Sequence, residues 1–191
     1  MSDHTFSQLT ADDQSALAEV RSLFKILSLL LDYPSERLIA ARQELGRVVD
    51  ELSHPAARQK CRAFLAHLDA TPLIRLQEEY TRLFDLNPSI CLNLTFHECG
   101  ESKARGFALV NLSQLYRNAG YEPATKELPD YLPMVLEFLS VCSREICCNI
   151  LAHYGSHIFG LSSRLAEQEA AYAGLVEVLS TVVRELAGEG D

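Results

Sequence analysis

Apolar residues recur every three or four positions along most of the chain, and this spacing is typical of amphipathic helices. The first stripe begins near Asp12 and ends at Tyr33, because a residue that precedes a proline is pushed out of the helical region. Serine and proline residues then mark the starts of three further helices, at Ser35, Pro55 and Pro72. The pattern therefore predicts four helices in the N-terminal part of the chain.

The middle of the chain is spaced less regularly. Residues 88–101 show no period and are predicted to form an ordered loop. A helix is expected over residues 102–119, with Gly120 as its C-terminal cap, because glycine tolerates the left-handed conformation. Asp130 is expected to cap the next helix, whose first turn then holds Pro133.

The C-terminal part is predicted to be helical over residues 143–187, with a break near Gly155. Its core-facing positions are expected to be Leu161, Leu165, Tyr172, Leu175, Leu179, Val183 and Leu186. No alternation of apolar and polar residues is long enough for a strand, and no internal repeat is present. The sequence thus predicts an all-α fold. The expected architecture is a single-domain helical bundle of about eight to ten helices over residues 12–188, preceded by a flexible segment at 1–11.

Composition and charge narrow the class of protein. With 191 residues, the chain is long enough to bury a core without disulfides or metal. A net charge of −9 argues against nucleic-acid binding, which needs a basic surface. The N-terminus is acidic and unlike a secretory signal, and the apolar run nearby is far shorter than the ~20 residues of a spanning helix. We therefore expect a cytoplasmic protein without stable membrane insertion, whose six cysteines are reduced thiols.

A metal or thiol site would draw on one loop that contains Cys91, His97 and Cys99. Structural zinc sites use paired ligand spacings that this loop does not have, and the adjacent Cys147 and Cys148 point about 100° apart on a helix. A catalytic thiol needs a base and an orienting group, and no oxyanion-hole motif accompanies the loop. The residues therefore favour neither a catalytic nor a metal site. A small thiol- or metal-dependent enzyme using His97 and Cys99 is the alternative function.

Residues 97–138 combine charged residues at helix ends with apolar helices, an arrangement that is typical of recognition surfaces. The charged residues are Glu98, Glu101, Arg105, Glu127, Asp130 and Glu137. On the second helix of this stretch, Tyr131, Met134 and Phe138 form a second apolar face. With acidic residues at its edge, that face suits a basic amphipathic helix. The other interpretation is that these residues complete the core and that Glu137 pairs with an arginine, and the sequence leaves both open.

Four segments carry recognisable motifs: LLDYP at 30–34, EEYTRLFDL at 78–86, HECGESKARGFALVNLSQLYRNAGYEP at 97–123 and ELPDYLPMVLEFLS at 127–140. Together they resemble the NarJ/TorD family of redox-enzyme maturation chaperones, and most of all its NarJ branch, the assembly chaperones of respiratory nitrate reductase. The likeness runs in order over about residues 23–187. The chain differs from several relatives in ending soon after its last helix, so the resemblance leaves the client open, with nitrate reductase favoured.

The resemblance implies an all-helical chaperone without catalytic activity or a cofactor of its own. It would bind the N-terminal peptide of a molybdoenzyme catalytic subunit and hold the apoenzyme for molybdenum cofactor and iron–sulfur insertion before membrane assembly. The family's E-x-P-D motif corresponds to Glu127, Pro129 and Asp130, and Arg105 is expected to position the preceding loop. The expected peptide-binding residues are Tyr80, Phe84, His97, Glu98, Glu101, Arg105, Glu127, Asp130, Tyr131, Met134 and Glu137. A generic helix-binding adaptor is a further alternative, and no residue pattern indicates an oligomeric state.

Overall fold

The first four helices begin and end close to the predicted positions. In the computed structural model, which describes residues 11–188, α1 spans Ala11–Leu30 and stops before Tyr33-Pro34. Helices α2, α3 and α4 then span Glu36–Asp50, Pro55–Ala70 and Leu73–Tyr80. The flexible segment predicted at 1–11 lies outside the described residues, except for Ala11, which begins α1.

The caps of these helices agree with the sequence at two starts and differ at the third. The Ser35 hydroxyl accepts a hydrogen bond from the Leu38 N–H at 3.3 Å, as an N-cap should. Pro55 occupies the first turn of α3. At the third start, Pro72 is itself the N-cap of α4 and makes no side-chain hydrogen bond. The preceding residue, Thr71, is the C-cap of α3. The last turn of the fourth helical stretch widens into a π-helical turn at Thr81–Asp85.

Residues 88–101, predicted as a loop, are partly helical. A 3₁₀ turn spans Pro88–Ile90, and α5 spans Leu94–Cys99. A helix of six residues is too short to show a clear period, which explains why the prediction was wrong. An isolated antiparallel bridge pairs Asn93 with Tyr131 and so joins this segment to the start of the seventh helix.

Helix α6 spans Lys103–Asn118 and ends as predicted. Gly120 adopts φ = 73°, its N–H donates to the Arg117 carbonyl at 3.0 Å, and the Tyr121 N–H donates to the Tyr116 carbonyl at 2.9 Å. These two bonds form a Schellman motif, which needs a residue that tolerates the left-handed region.

Helix α7 spans Leu132–Val141, and its N-cap is Tyr131. The prediction that Asp130 caps this helix was therefore wrong, because the Asp130 carboxylate is directed to α5 instead. The helix buries Leu132, Val135, Leu136 and Leu139, as its apolar spacing indicates.

Helix α8 spans Arg144–Ala166 without the predicted break at Gly155. A Cβ atom at this position would lie 3.2 Å from the Val183 Cγ1 atom of α9, which spans Ala173–Ala187. Gly155 therefore serves the close approach of two helices and does not end one. Leu186, predicted on the core side of α9, is 39% exposed because it borders a surface cavity, which it lines together with Arg144 and Cys147 of α8.

The helices pack around one apolar core, with α1 against α7 and α9 against α8 and α3. Rings of Phe64, Tyr80, Phe84 and Tyr172 contact one another with centroids 4.7 to 5.7 Å apart. Cys61 and Cys142 are buried in the apolar core, where they pack as small hydrophobic residues. Residues 11–188 thus contain nine α-helices and no strand, which confirms the all-α prediction. No helix in this range is both long and apolar enough to cross a membrane.

Candidate functional site

The predicted site residues fall into three groups in the structure. One surrounds the buried Asp130, one lines a cleft between α1 and α7, and one lies where α5 meets α8.

Asp130 is completely buried, with 0% of its surface exposed. Its carboxylate accepts hydrogen bonds from the Asn93 Nδ2 at 2.9 Å, the Thr95 N–H at 3.2 Å and the Thr95 Oγ1 at 2.5 Å. The Arg105 Nη2 lies 3.6 Å away. All of these donors belong to other segments, so the carboxylate joins the loop before α7 to α5 and α6. It has no surface with which to contact a partner, contrary to its predicted place on an acidic rim.

Arg105 supports the same junction. Its Nε donates to the Thr95 hydroxyl at 3.3 Å, and its guanidinium lies over the Phe96 ring at 5.5 Å from the centroid. The side chain is 19% exposed, so its contacts are mostly within the protein. These contacts join α6 to α5 beside the Asp130 carboxylate.

Tyr80 and Phe84 lie in the core and not on the surface. The Tyr80 hydroxyl is 3.1 Å from the Leu31 carbonyl and 2.5 Å from the Tyr131 hydroxyl. The Tyr131 hydroxyl donates to Asp32 Oδ1 at 3.0 Å. Burial raises the pKa of Tyr80 and of Tyr131, so both stay protonated and able to donate at neutral pH. Tyr80 therefore contacts Tyr131 from within the core, and Phe84 packs against Tyr80, whereas both had been predicted to face a peptide.

The second group lines two adjoining depressions that we call the loop cleft. The smaller, of about 100 Å³, lies between α1 and α7 and includes Asp32, Glu127, Tyr131, Met134 and Glu137 in its lining. The larger, of about 490 Å³, extends toward the end of α6 and shares Glu127 and Met134 with the smaller one. Glu127 is exposed and stands between the two. Acidic side chains therefore outnumber basic ones in the lining of the two depressions, where Arg117 is the basic residue of the larger one.

Glu137 is held at the edge of this cleft by two partners. It forms an ion pair with Lys25 of α1 and accepts a hydrogen bond from the Tyr121 hydroxyl at 3.1 Å. Burial raises the pKa of Glu137, but the hydrogen bond and charge of Lys25 outweigh that effect, so the net pKa is lowered. Of the two interpretations left open by the sequence, the core interpretation describes Met134 and Phe138, which are buried. The partner of Glu137 is a lysine and not an arginine.

The third group is a cluster of histidines where α5 meets α8. Glu98 lies 3.5 Å from His153 Nε2 and 3.9 Å from His157 Nε2. His97 Nε2 donates to the Cys91 carbonyl at 2.8 Å, and its Nδ1 is 3.4 Å from the Arg164 guanidinium. Glu101, the remaining predicted residue, is exposed just before α6.

The chemistry of the third group does not suit a nucleophilic thiol. Burial lowers the pKa of His97, and burial also raises the pKa of the Cys91 thiol, whose sulfur is 3.9 Å from His97 Nε2. A catalytic cysteine needs the opposite shift, because the thiolate is the nucleophile. Among residues 11–188, no three His, Cys, Asp or Glu side chains are grouped so that they could hold a metal ion.

An apolar groove between α6 and α8 was not predicted. It encloses about 320 Å³, and its lining includes Ala108, Leu112, Leu115, Ile150 and Tyr154. On the outer side of α6, Phe107 is 73% exposed and Val110 is 57% exposed. The sequence signal for this surface is that apolar residues occupy more than one face of α6, which is more than a single core contact requires.

Other residues of the site also escaped sequence reasoning. Asn93 and Thr95 bind the Asp130 carboxylate, and Lys25 and Asp32 contribute charge to the loop cleft. Each is distant in sequence from the residue that it contacts. Asp32 lies within the LLDYP motif at 30–34, but no local pattern distinguishes Lys25, Asn93 and Thr95 from ordinary polar residues.

Comparison with known proteins finds relatives over most of the chain. A family model described as "Nitrate reductase delta subunit" matches residues 50–179. A protein of Bacillus subtilis, named a probable nitrate reductase molybdenum cofactor assembly chaperone (NarJ), is 31% identical over 163 residues, which are 85% of this chain and 89% of that protein. The Escherichia coli K12 nitrate reductase molybdenum cofactor assembly chaperone NarJ is 32% identical over 157 residues, covering 81% of this chain and 66% of that protein.

A solved structure shows the same fold. It is the crystal structure of a protein from Archaeoglobus fulgidus described as a redox enzyme maturation protein. It superposes with a TM-score of 0.64, 20% sequence identity and coverage of 96% of this chain and 99% of that one. At this identity the likeness concerns the arrangement of the helices.

Proposed function

The chain belongs to the nitrate reductase delta subunit family, and from this membership we propose that it is a dedicated chaperone for nitrate reductase assembly. In this proposal it binds the N-terminal segment of the molybdenum-containing catalytic subunit. It holds the apoenzyme for insertion of the molybdenum cofactor and the iron–sulfur cluster, before membrane assembly and in the cytoplasm. The support is that relatives spanning most of the chain are named nitrate reductase molybdenum cofactor assembly chaperones. The resemblance to the NarJ branch found in the four sequence motifs is thereby confirmed.

The loop cleft is the observation that supports a peptide-binding site on this chain. The exposed Glu127 lines both depressions, and Asp32 and Glu137 line the smaller one. Tyr131 supplies apolar surface beside the nearly buried Met134. A cleft with carboxylates beside apolar side chains suits a helix that has basic residues along one edge. The net charge of −9 also favours approach of a basic segment over longer distances.

The predicted site residues then divide by role. Glu127, Tyr131 and Glu137 are proposed to contact the client peptide, and the buried Met134 is proposed to form the floor beneath them. The exposed Glu98 and Glu101 add negative charge near the start of α6. Four other predicted residues are proposed to hold the cleft in shape without touching the client: Tyr80, Phe84 and Asp130, which are buried, and Arg105, which is mostly buried. His97 is placed with them, since both of its ring nitrogens are engaged within the protein.

Binding is proposed to couple to folding of the client segment. A segment that is disordered when free and helical when bound has to offset its ordering cost with contacts to the cleft. Because part of those contacts are ionic and exposed, affinity should fall as salt concentration rises. Acidic conditions that neutralise the cleft carboxylates should also lower the affinity, because the ionic contacts with the peptide are then lost.

Calorimetric titration with a synthetic N-terminal peptide of the nitrate reductase catalytic subunit tests the proposal. We expect Glu127→Gln to lower affinity roughly fivefold, or about 1 kcal/mol, and to reduce the salt dependence, as for one exposed ion pair. The matched control is Glu44→Gln, since Glu44 is an exposed acid on α2, away from the cleft. If Glu127→Gln binds as well as the unsubstituted chain, the loop cleft is not the site. If the unsubstituted chain does not bind the peptide, peptide capture is refuted.

The enzyme alternative has less support. The relatives from Bacillus subtilis and Escherichia coli are named for assembly and not for a reaction. The pKa shifts of His97 and Cys91 also oppose activation of the Cys91 thiol. A generic helix-binding adaptor would use the same cleft. It would differ by binding unrelated basic helices as tightly as the client peptide, and a scrambled peptide of equal charge distinguishes the two.

A further inference from the structure

Helix α6 presents a regularly spaced row of exposed side chains on its outer side. We call this row the α6 stripe, and its members are Lys103, Phe107, Val110, Gln114 and Arg117. They follow one another at intervals of four, three, four and three residues. These intervals place side chains in one line along a helix, and they are the intervals at which two helices pack side by side. Phe107 and Val110 give the stripe an apolar middle.

The α6 stripe adjoins the apolar groove between α6 and α8. Asn111, one turn beyond Phe107, lines this groove, and the buried Leu112 and Tyr154 also belong to its lining. Each copy of the chain therefore has a projecting aromatic side chain next to an apolar depression that can receive one. Contiguous apolar surface of this kind marks a site of interaction with another protein surface.

The distribution of charge indicates which partner suits this face. None of the 26 Asp and Glu residues lies in residues 102–121 or 146–166, which contain α6 and most of α8. Because the chain has a net charge of −9, two copies repel each other over most of their surfaces. The α6–α8 face is free of that repulsion. It is therefore the face on which a second copy can approach most closely.

The two ends of the α6 stripe carry opposite charges. Glu98 and Glu101 are exposed just before α6, and Arg117 is exposed in its last turn. Consider two antiparallel α6 helices in which Phe107 of one copy contacts Val110 of the other. Ten residues after Phe107 lies Arg117, and ten residues before Val110 lies the residue next to Glu101. This register therefore brings the guanidinium of each copy to the carboxylates of the other.

We propose that the α6 stripe and the adjoining groove form the interface of a homodimer, in which two copies pack their α6 helices antiparallel about a two-fold axis. Phe107 of each copy is buried against Val110 and the groove of the other, and Arg117 of each copy pairs with Glu101 of the other. One helix of 16 residues from each copy gives a small interface, so we expect a dissociation constant of about 10–100 µM. The sequence alone did not indicate this interface, because the packing of α6 decides which of its residues are exposed.

Sedimentation equilibrium of the full chain tests the proposal, and it is done without peptide, so its outcome is independent of the chaperone function. Phe107→Ser should raise the dimer dissociation constant about 100-fold, because the ring occurs twice in a two-fold interface. The matched control is Ile74→Ser, which removes an exposed apolar side chain from α4 and should leave the constant unchanged. Circular dichroism confirms that each variant is folded. A chain that stays monomeric at about 1 mM overturns the proposal, as does a dimer that Phe107→Ser leaves intact.

Exchange of charges tests the antiparallel arrangement. Arg117→Glu should raise the dissociation constant about tenfold, because it replaces an attraction by a repulsion at both ends of the interface. Adding Glu101→Arg to this variant should restore most of the affinity, since each new carboxylate then meets a new guanidinium. The two positions lie at opposite ends of α6 within one copy, so a recovery requires that they meet across two copies. A double variant that dimerises no better than Arg117→Glu overturns the arrangement.

Discussion

Replacing Asp130 by alanine should destabilise the fold, because it removes the acceptor at the centre of a buried network. Three hydrogen bonds, from Asn93 Nδ2 and from the N–H and hydroxyl of Thr95, would lose their acceptor. The Arg105 guanidinium at 3.6 Å would lose its counter-ion while remaining only 19% exposed. The substitution therefore leaves the donors around a fully buried position without their acceptor and leaves a mostly buried charge without its counter-ion.

The expected magnitude follows from those losses. Each buried donor left unsatisfied costs about 1–3 kcal/mol, and breaking a buried ion pair costs about 3–5 kcal/mol. These costs overlap, because the same carboxylate serves all the donors and the Thr95 hydroxyl can rotate to another acceptor. We expect a total loss of about 3–5 kcal/mol in the free energy of unfolding, or roughly 6–20 °C in Tm for a chain of this size.

The assay is urea unfolding followed by the helical circular dichroism signal, with the m-values compared. Asp130→Asn is the matched variant, because it keeps the shape of the side chain and one oxygen but presents an NH₂ group to a donor. We expect it to lower the free energy of unfolding by about 1–3 kcal/mol. Glu127→Gln, on the exposed side of the same loop, should change stability by less than about 0.5 kcal/mol. A loss below about 1 kcal/mol for Asp130→Ala would refute the structural role. Reduced peptide affinity with undiminished stability would show that Asp130 contacts the client directly.

Two further predictions concern the backbone and the histidine cluster. Gly120→Ala should lower the free energy of unfolding by about 1–2 kcal/mol, because φ is 73° at this position. No atom lies within 4 Å of the added Cβ, so the loss is purely conformational. Thermal unfolding measures it, and an unchanged Tm would contradict the prediction. His97 has a lowered pKa in the folded state, caused by burial, so the unfolded chain binds its proton more readily. Stability should therefore decline as pH falls below the unfolded value of 6.5 toward the folded pKa, and His97→Gln should flatten that decline in urea titrations at stepped pH. An equally steep decline in His97→Gln would assign the effect to other groups.

Local signals in the sequence determined most of the helical framework. The Ser35 cap, the Pro55 start and the Gly120 terminus depend on residues within one turn of each other, so a short window contains the needed information. Apolar spacing likewise identified the buried side of α7. The four motifs indicated the family, because their order and separations along the chain resemble those of the NarJ branch.

Only the tertiary structure decided what the polar residues of the site do. Asp130 could serve as a helix cap, a rim carboxylate or a buried acceptor, and the choice depends on Thr95, which is 35 positions away. Glu137 meets Lys25 across 112 positions, and Gly155 owes its place to Val183 on another helix. The same limit applies to Tyr80 and Phe84, whose motif suggested a binding surface but whose rings fill the core. Caps and apolar stripes follow from neighbours along the chain, whereas the burial and charge partners of a polar side chain follow from which helices pack together.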